Sequence, residues 1–159
     1  MDAPLVALTL VTVLGCGLSA GVFFAFSGFV MKALARLPAA HGIAAMQAIN
    51  VAAVSVAFML ALFGTAAACV ALGGWALAEW GQPFAPYLLA GSALYLAGVI
   101  APTVGYHVPR NEALATVEPT VAAAAQWRRY VRQWTAWNHL RAAAPLAAAA
   151  ALTWALHVG

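Results

Sequence analysis

Four long runs of apolar residues dominate this sequence, and they restrict its fold more than any other feature. They cover residues 4–31, 43–72, 84–106 and 135–158. Each run approaches or exceeds the roughly 20 apolar residues that a helix needs to cross a bilayer. Only 7% of the 159 residues are charged, against about 25% in soluble domains. We therefore predict an all-α integral membrane protein that forms a single domain over residues 1–159.

The predicted architecture is a four-transmembrane-helix bundle in the lipid bilayer. Its helices are expected at about residues 4–31, 43–72, 84–106 and 120–157, the last with an amphipathic cytoplasmic extension before the fourth crossing. In this extension Trp127, Val131 and Trp134 recur at helical spacing, while three arginines lie around the other side. The first run is longer than a signal-peptide core and has no basic residue before it, so we expect it to remain in the mature protein.

The basic residues predict the orientation. Lys32 and Arg36 follow the first predicted helix, and four arginines, at positions 110, 128, 129 and 132, separate the third from the fourth. Both loops lie on one side of the membrane, and basic loops are typically cytoplasmic. We therefore expect an integral protein of a bacterial inner membrane with both termini outside the cytoplasm. The sequence has no basic soluble surface of the kind that binds nucleic acid. It leaves open whether the chain forms a homo-oligomer.

Small residues and cysteines favour close helix packing. Gly17, Gly21 and Ala25 recur every four residues on the first helix, and positions 93, 97, 101 and 105 do so on the third, which predicts two helix-contact faces. Cys16 and Cys69 lie inside apolar runs without a CxxC pattern, so we interpret them as small buried thiols.

Polar side chains inside the apolar runs gather near one end of the predicted bundle. They are Ser27 on the first helix, Gln47 and Asn50 on the second, Tyr106 and His107 on the third, and Asn138, His139 and Arg141 on the fourth. Polar groups in hydrocarbon are costly and usually face a bundle interior. The pattern therefore predicts a polar pocket open toward the cytoplasmic leaflet. The alternative is that Arg141 extends to the headgroups while the amides join helices.

Three motifs carry a family resemblance. The segments "GVFFAFSGFVMKALARLPAAHGIAAMQAIN", "VPRNEALA" and "WTAWNHLRAAAPL" together resemble the small four-helix membrane proteins that include the anthrone oxygenases, a family otherwise largely of unknown function. Gln47 and Asn50 match its "MQxIN" pattern and Asn111 its "VPxN" pattern. Trp137, Asn138 and Arg141 match its "WNxxR" pattern.

The resemblance implies a cofactor-independent oxygenase. Anthrone oxygenases convert the activated methylene of a polycyclic aromatic ketone to a quinone with molecular oxygen, without metal or flavin, so the expected partner is a hydrophobic aromatic small molecule. Such chemistry needs a base, donors for an oxyanion and a dry aromatic slot. We predict His139 or His107 as the base and Arg141 with Asn138 or Asn50 as the donors. The predicted substrate-binding residues are Gln47, Asn50, Asn111, Trp134, Trp137, Tyr106 and Ser27.

Two other classes of protein stay open. Histidines near helix ends could hold haem in a helical bundle, or the pocket could hold a quinone; either would indicate an electron-transfer protein. No CxxCH, HExxH or Glu-x-x-His pattern supports a metal site, and we predict none. A non-catalytic accessory subunit of a membrane complex is the third class.

Overall fold

The computed structural model describes residues 1–159 and contains helices and no strands, which confirms the all-α prediction. Five helices follow one another along the chain: α1 (Ala3–Arg36), α2 (Ala39–Ala52), α3 (Val56–Ala78), α4 (Ala85–Ala115) and α5 (Ala124–Val158). The side chain of Asp2 caps α1 by accepting a hydrogen bond from the Leu5 amide at 3.2 Å. A short 3₁₀ turn, Val121–Ala123, leads into α5.

Three of the helices, α1, α3 and α4, are long and apolar enough to cross a membrane. The fourth predicted crossing lies within α5, which is alanine-rich, includes Arg141 and is not among these three. Even so, α5 packs along α1 and α4, and α3 packs against the same two helices. The four long helices therefore share one apolar core, which contains Leu62, Leu88, Tyr95 and Leu152.

Where the hydropathy pattern predicted one helix over residues 43–72, the structure has two. The break falls at residues 53–55, where the Ser55 hydroxyl accepts a hydrogen bond from the Phe58 amide at 3.3 Å and so begins α3. With 14 residues, α2 extends over about 21 Å, which is less than the roughly 30 Å hydrocarbon thickness. It is therefore too short to cross a membrane.

The short helix α2 helps to build a second core cluster, separate from the apolar core of the four long helices. Eight buried residues from α1, α2, α4 and α5 form it: Met31, Leu34, Ile43, Met46, Leu114, Trp127, Tyr130 and Trp134. Three of the eight are large aromatic residues on the first part of α5. The segment predicted as an amphipathic extension thus buries its aromatic side against neighbouring helices, while Arg128, Arg129 and Arg132 are exposed.

The predicted small-residue contact faces are wrong. A Cβ atom added at Gly17, Gly21 or Gly105 would meet nothing within 4 Å, and the alanines at 93, 97 and 101 are exposed. The close approach of α4 to α5 occurs instead at Gly91 and Gly98. A spacing of four identifies a helix stripe but not the direction it faces, because the lipid-facing side of such a helix also lacks polar residues.

We expect Gly98→Ala to destabilise the protein. An added methyl group would overlap the Cβ atom of Ala144 on α5, and overpacking of this kind costs about 1–3 kcal/mol. Thermal unfolding in detergent should show a lower midpoint for Gly98→Ala. Gly105→Ala, on the same helix but with no neighbour at its Cβ position, is the matched control and should unfold near the wild-type temperature. Equal midpoints for the two variants would contradict the packing described for α4 and α5.

Candidate functional site

Asn138 joins α5 to α1 in the protein interior. Its side chain is fully buried, and its Nδ2 atom donates to the Phe23 carbonyl and to the Ser27 hydroxyl, both at 2.8 Å. These acceptors lie where α1 passes into a π-helical segment, Phe26–Val30, a local irregularity that often accompanies functional sites. The Oδ1 atom of Asn138 stays available to accept hydrogen bonds from the other side.

That oxygen holds Arg141, one turn further along α5. Arg141 donates to Asn138 Oδ1 from Nε at 3.1 Å and from Nη2 at 2.8 Å, and Nη1 donates to the Thr103 hydroxyl on α4 at 3.3 Å. The guanidinium carbon lies 4.4 Å from the centre of the Phe23 ring and 5.0 Å from that of Trp134. These contacts fix the plane of the guanidinium group.

The Arg141 side chain is 5% exposed and lacks a carboxylate partner, because all four acidic residues of the chain are exposed elsewhere. Its positive charge is stabilised by polar oxygens and aromatic rings alone. A guanidinium group has five N–H donors, and the three hydrogen bonds to Asn138 and Thr103 leave two of them free. The structure therefore presents a buried cation with spare donors, which suits a partly anionic or carbonyl oxygen.

Arg141 opens onto a cavity of about 200 Å³ between the bundle core and the second core cluster. Most of its lining is apolar, with aromatic walls from Phe23, Phe26, Phe58, Phe63 and Trp134. The polar lining residues are Asn50, Thr103, His107, Asn111 and Arg141. A mostly apolar pocket with a few convergent polar groups is typical of a small-molecule site.

His107 is the most deeply buried histidine. It is 1% exposed, lines the cavity, and neither ring nitrogen has a hydrogen-bond partner. The ring stands edge-on to Trp134, with 4.9 Å between centroids. The Nδ2 atom of Asn50 is also buried without a partner. Unsatisfied buried polar groups are uncommon and call for an explanation, and a ligand in the cavity would provide the missing partners.

The cavity brings together five of the residues that the sequence singled out: Asn50, His107, Asn111, Trp134 and Arg141. The Oδ1 atom of Asn111 accepts from the Tyr130 hydroxyl at 2.8 Å and from Trp134 Nε1 at 3.0 Å, which fixes one aromatic wall. Asn138 and Ser27 lie behind Arg141 and support it without lining the cavity.

Four further predicted site residues also lie outside the cavity. Gln47 donates from Nε2 to the Leu114 and Val117 carbonyls, both at 2.9 Å, so it joins α2 to the end of α4. Tyr106 and Trp137 stack on each other, with 4.7 Å between centroids, and Trp137 is 45% exposed. His139 is exposed on another face of α5, because one residue turns a helix by about 100° away from buried Asn138.

The sequence reading missed Thr103 and the phenylalanines of the cavity wall. Thr103 receives a hydrogen bond from Arg141, but as a single threonine in an apolar run it gave no recognisable signal beyond its position after Pro102. Phe23 lies inside the first of the three motif segments, which begins at Gly21, and it contributes both its ring and its carbonyl group to the site.

The ionisable residues offer no metal-binding cluster. The structure contains no group of three or more His, Cys, Asp or Glu side chains that could hold a metal ion. The three histidines other than His107, at positions 41, 139 and 157, are exposed and do not line the cavity. Cys16 and Cys69 are buried free thiols, as predicted.

Asn138→Leu should destabilise the protein, because it removes the bonds to Phe23 and Ser27 and leaves Arg141 without its main acceptor. A buried polar group that loses its partner costs about 1–3 kcal/mol. We expect a lower thermal midpoint than for Gln126→Leu, a control on the exposed face of the same helix. An unchanged midpoint for Asn138→Leu would show that this residue does not hold α1 and α5 together.

Fold and site together define a class of protein: an all-helical chain with three helices able to cross a membrane and a buried arginine in an aromatic cavity. The model of the anthrone oxygenase family matches residues 56–151, more than half of the chain, and the protein belongs to this family. The matched region includes Thr103, His107, Asn111, Trp134 and Arg141. Comparison with curated proteins and with solved structures found no match.

Proposed function

We propose that this protein is a membrane-embedded oxygenase that converts the activated methylene of an anthrone-like aromatic ketone to a carbonyl group. The observation that carries the proposal is that two polar groups line one aromatic cavity: the Arg141 guanidinium, which keeps two N–H donors beyond its three hydrogen bonds, and the His107 imidazole, whose ring nitrogens have no hydrogen-bond partner. Membership of the anthrone oxygenase family supports the same reaction class.

The first step is removal of a proton. His107 accepts one methylene proton, and the electron pair of that C–H bond moves into the ketone to give an enolate. Its oxyanion faces the free N–H groups of Arg141, with the unpaired amide of Asn50 as a further donor. Donors positioned before the reaction in a dry site stabilise such a charge far better than water-exposed donors do.

Oxygen then acts as the oxidant. The enolate transfers one electron to O₂, and the resulting substrate radical and superoxide combine to form a carbon–oxygen bond. The peroxide takes up a proton from the His107 imidazolium. His107 then removes the second methylene proton. The electron pair of that C–H bond forms the new carbonyl group as the O–O bond breaks, and the departing hydroxide takes the proton from His107 and leaves as water. The sum is a methylene group and O₂ giving a carbonyl group and water, and the electrons come from the substrate, so no metal or flavin is required.

The size and rim of the cavity support a flat, lipophilic substrate. A cavity of about 150 Å³ can hold benzene, so about 200 Å³ encloses the reacting part of a fused-ring molecule. The rest would extend through the rim, where Val54, Phe63 and Val108 are exposed. All three are apolar, and Val54 lies in the break between α2 and α3, which supports entry of the substrate from the lipid.

The proposed setting is a four-helix transmembrane bundle, with α5 as its fourth crossing and the second core cluster at the cytoplasmic surface of a bacterial inner membrane. The basic residues between the helices support this orientation. Reporter fusions should place both termini outside the cytoplasm. A cytoplasmic N-terminus would reverse the orientation and move the cavity to the outer leaflet.

The test is turnover by purified, chelator-washed protein. With an anthrone as substrate we expect quinone formation with one O₂ consumed per quinone, above the rate of spontaneous oxidation in matched protein-free detergent. No turnover of anthrones, or turnover that depends on added metal or flavin, would contradict the proposal. An absorption spectrum of the same sample distinguishes the haem alternative, because bound haem would give an intense visible band.

A further inference from the structure

A groove between α1 and α5 lies apart from the cavity and, unlike the aromatic cavity, is lined by several basic side chains. It has a volume of about 360 Å³, and Lys32 of α1 and Arg132 and His139 of α5 contribute its charged or ionisable side chains. His139, which the sequence suggested as a base, belongs to this groove. We propose that the groove binds the phosphate-bearing headgroup of an anionic phospholipid.

The groove offers cations and a free hydroxyl group without a competing carboxylate. None of the four acidic residues lines it, so Lys32 and Arg132 have no anionic neighbour there. The Oγ1 atom of Thr135 is buried and has no hydrogen-bond partner. Two cations and an unsatisfied hydroxyl donor, supplied by two different helices, are complementary to a phosphate diester.

The apolar surface of the groove favours a lipid over free phosphate. Ala35, Val131 and Ala136, which are exposed or partly exposed, form part of its wall, and they suit glycerol and acyl carbons. Arg132 and His139 are seven residues apart on α5, which corresponds to about 10 Å along the helix. The groove therefore runs along α5, as a lipid chain would.

Native mass spectrometry of delipidated full-length protein in detergent tests this assignment. Phosphatidylglycerol should bind about tenfold more tightly than phosphatidylcholine with the same acyl chains. The double variant Lys32→Gln/Arg132→Gln should bind phosphatidylglycerol about thirtyfold more weakly than wild type. Arg128→Gln/Arg129→Gln removes the same charge from exposed positions of α5 outside the groove, and it should weaken binding only about twofold.

A second variant keeps the test decisive if the double variant unfolds. Ala136→Trp fills the groove without changing charge and should prevent phosphatidylglycerol binding. Equal weakening by the two charge variants, or equal binding of the two lipids by wild type, would overturn the proposal. Displacement of the lipid by inorganic phosphate at millimolar concentration would assign the groove to free anions and would also overturn it.

Discussion

Replacing Arg141 with methionine is expected to lower turnover by about 10²–10³-fold, the loss typical of removing an oxyanion donor. The variant should still fold. It leaves Asn138 Oδ1 and the Thr103 hydroxyl without their donor, but it also removes a buried charge that has no carboxylate partner, and the two effects oppose each other. Oxygen uptake with an anthrone and thermal unfolding of the purified variant measure the two outcomes separately.

The Arg141→Lys variant distinguishes a ligand-binding role of Arg141 from a role as a membrane anchor. Lysine keeps the charge but loses the planar group that contacts Asn138 and Thr103 together, so we expect turnover to fall while folding and membrane insertion are retained. A residue that only extends to lipid headgroups would tolerate lysine fully, and its loss would disturb insertion more than catalysis. Full activity in a well-folded Arg141→Met variant would contradict the proposed role of Arg141.

His107→Ala is expected to lower kcat by about 10²–10⁴-fold, the usual contribution of a general base. The imidazole is buried in the cavity with both nitrogens free, and its loss removes the proposed proton acceptor. Added imidazole should restore part of the activity, because the alanine variant leaves space for it inside the cavity. A purely structural role for His107 predicts no such rescue.

His139→Ala is the matched control, since it removes the other histidine that the sequence suggested as a base. His139 is exposed and does not line the cavity, so turnover should stay within about twofold of wild type. Activity lost in His139→Ala but kept in His107→Ala would reverse the assignment of the base.

The sequence predicted that a polar site exists, but it predicted less well which residues line that site. Polar residues at one depth indicated a shared site, and the structure places Asn50, His107 and Arg141 around one cavity. Gln47 has the same predicted depth as Asn50 and also carries a side-chain amide, yet it donates to carbonyl groups at the end of α4. Depth follows from hydropathy, but the choice between a cavity and a free carbonyl depends on tertiary contacts that the sequence does not specify.

The helix break and the packing faces were harder to predict for different reasons. Hydropathy is continuous across residues 43–72, and the break between α2 and α3 is marked only by Ser55, which caps the start of α3. On α4 the spacing of small residues predicted a contact face that includes Gly105, whereas the contact between α4 and α5 uses Gly98. In a membrane protein both faces of a helix can be apolar, so amphipathicity does not distinguish the packed face from the lipid-facing one.

The central claim is that one aromatic cavity holds the substrate oxygen at Arg141, and a structure of the protein with a bound anthraquinone-type product tests it most directly. We predict the product rings against Trp134 and Phe23, with a carbonyl oxygen at about 2.8–3.2 Å from an Arg141 Nη atom and the opposite carbonyl facing His107. Product bound elsewhere, for example in the apolar groove between α1 and α3 beside Leu14 and Gly64, with Arg141 and His107 untouched, would contradict it.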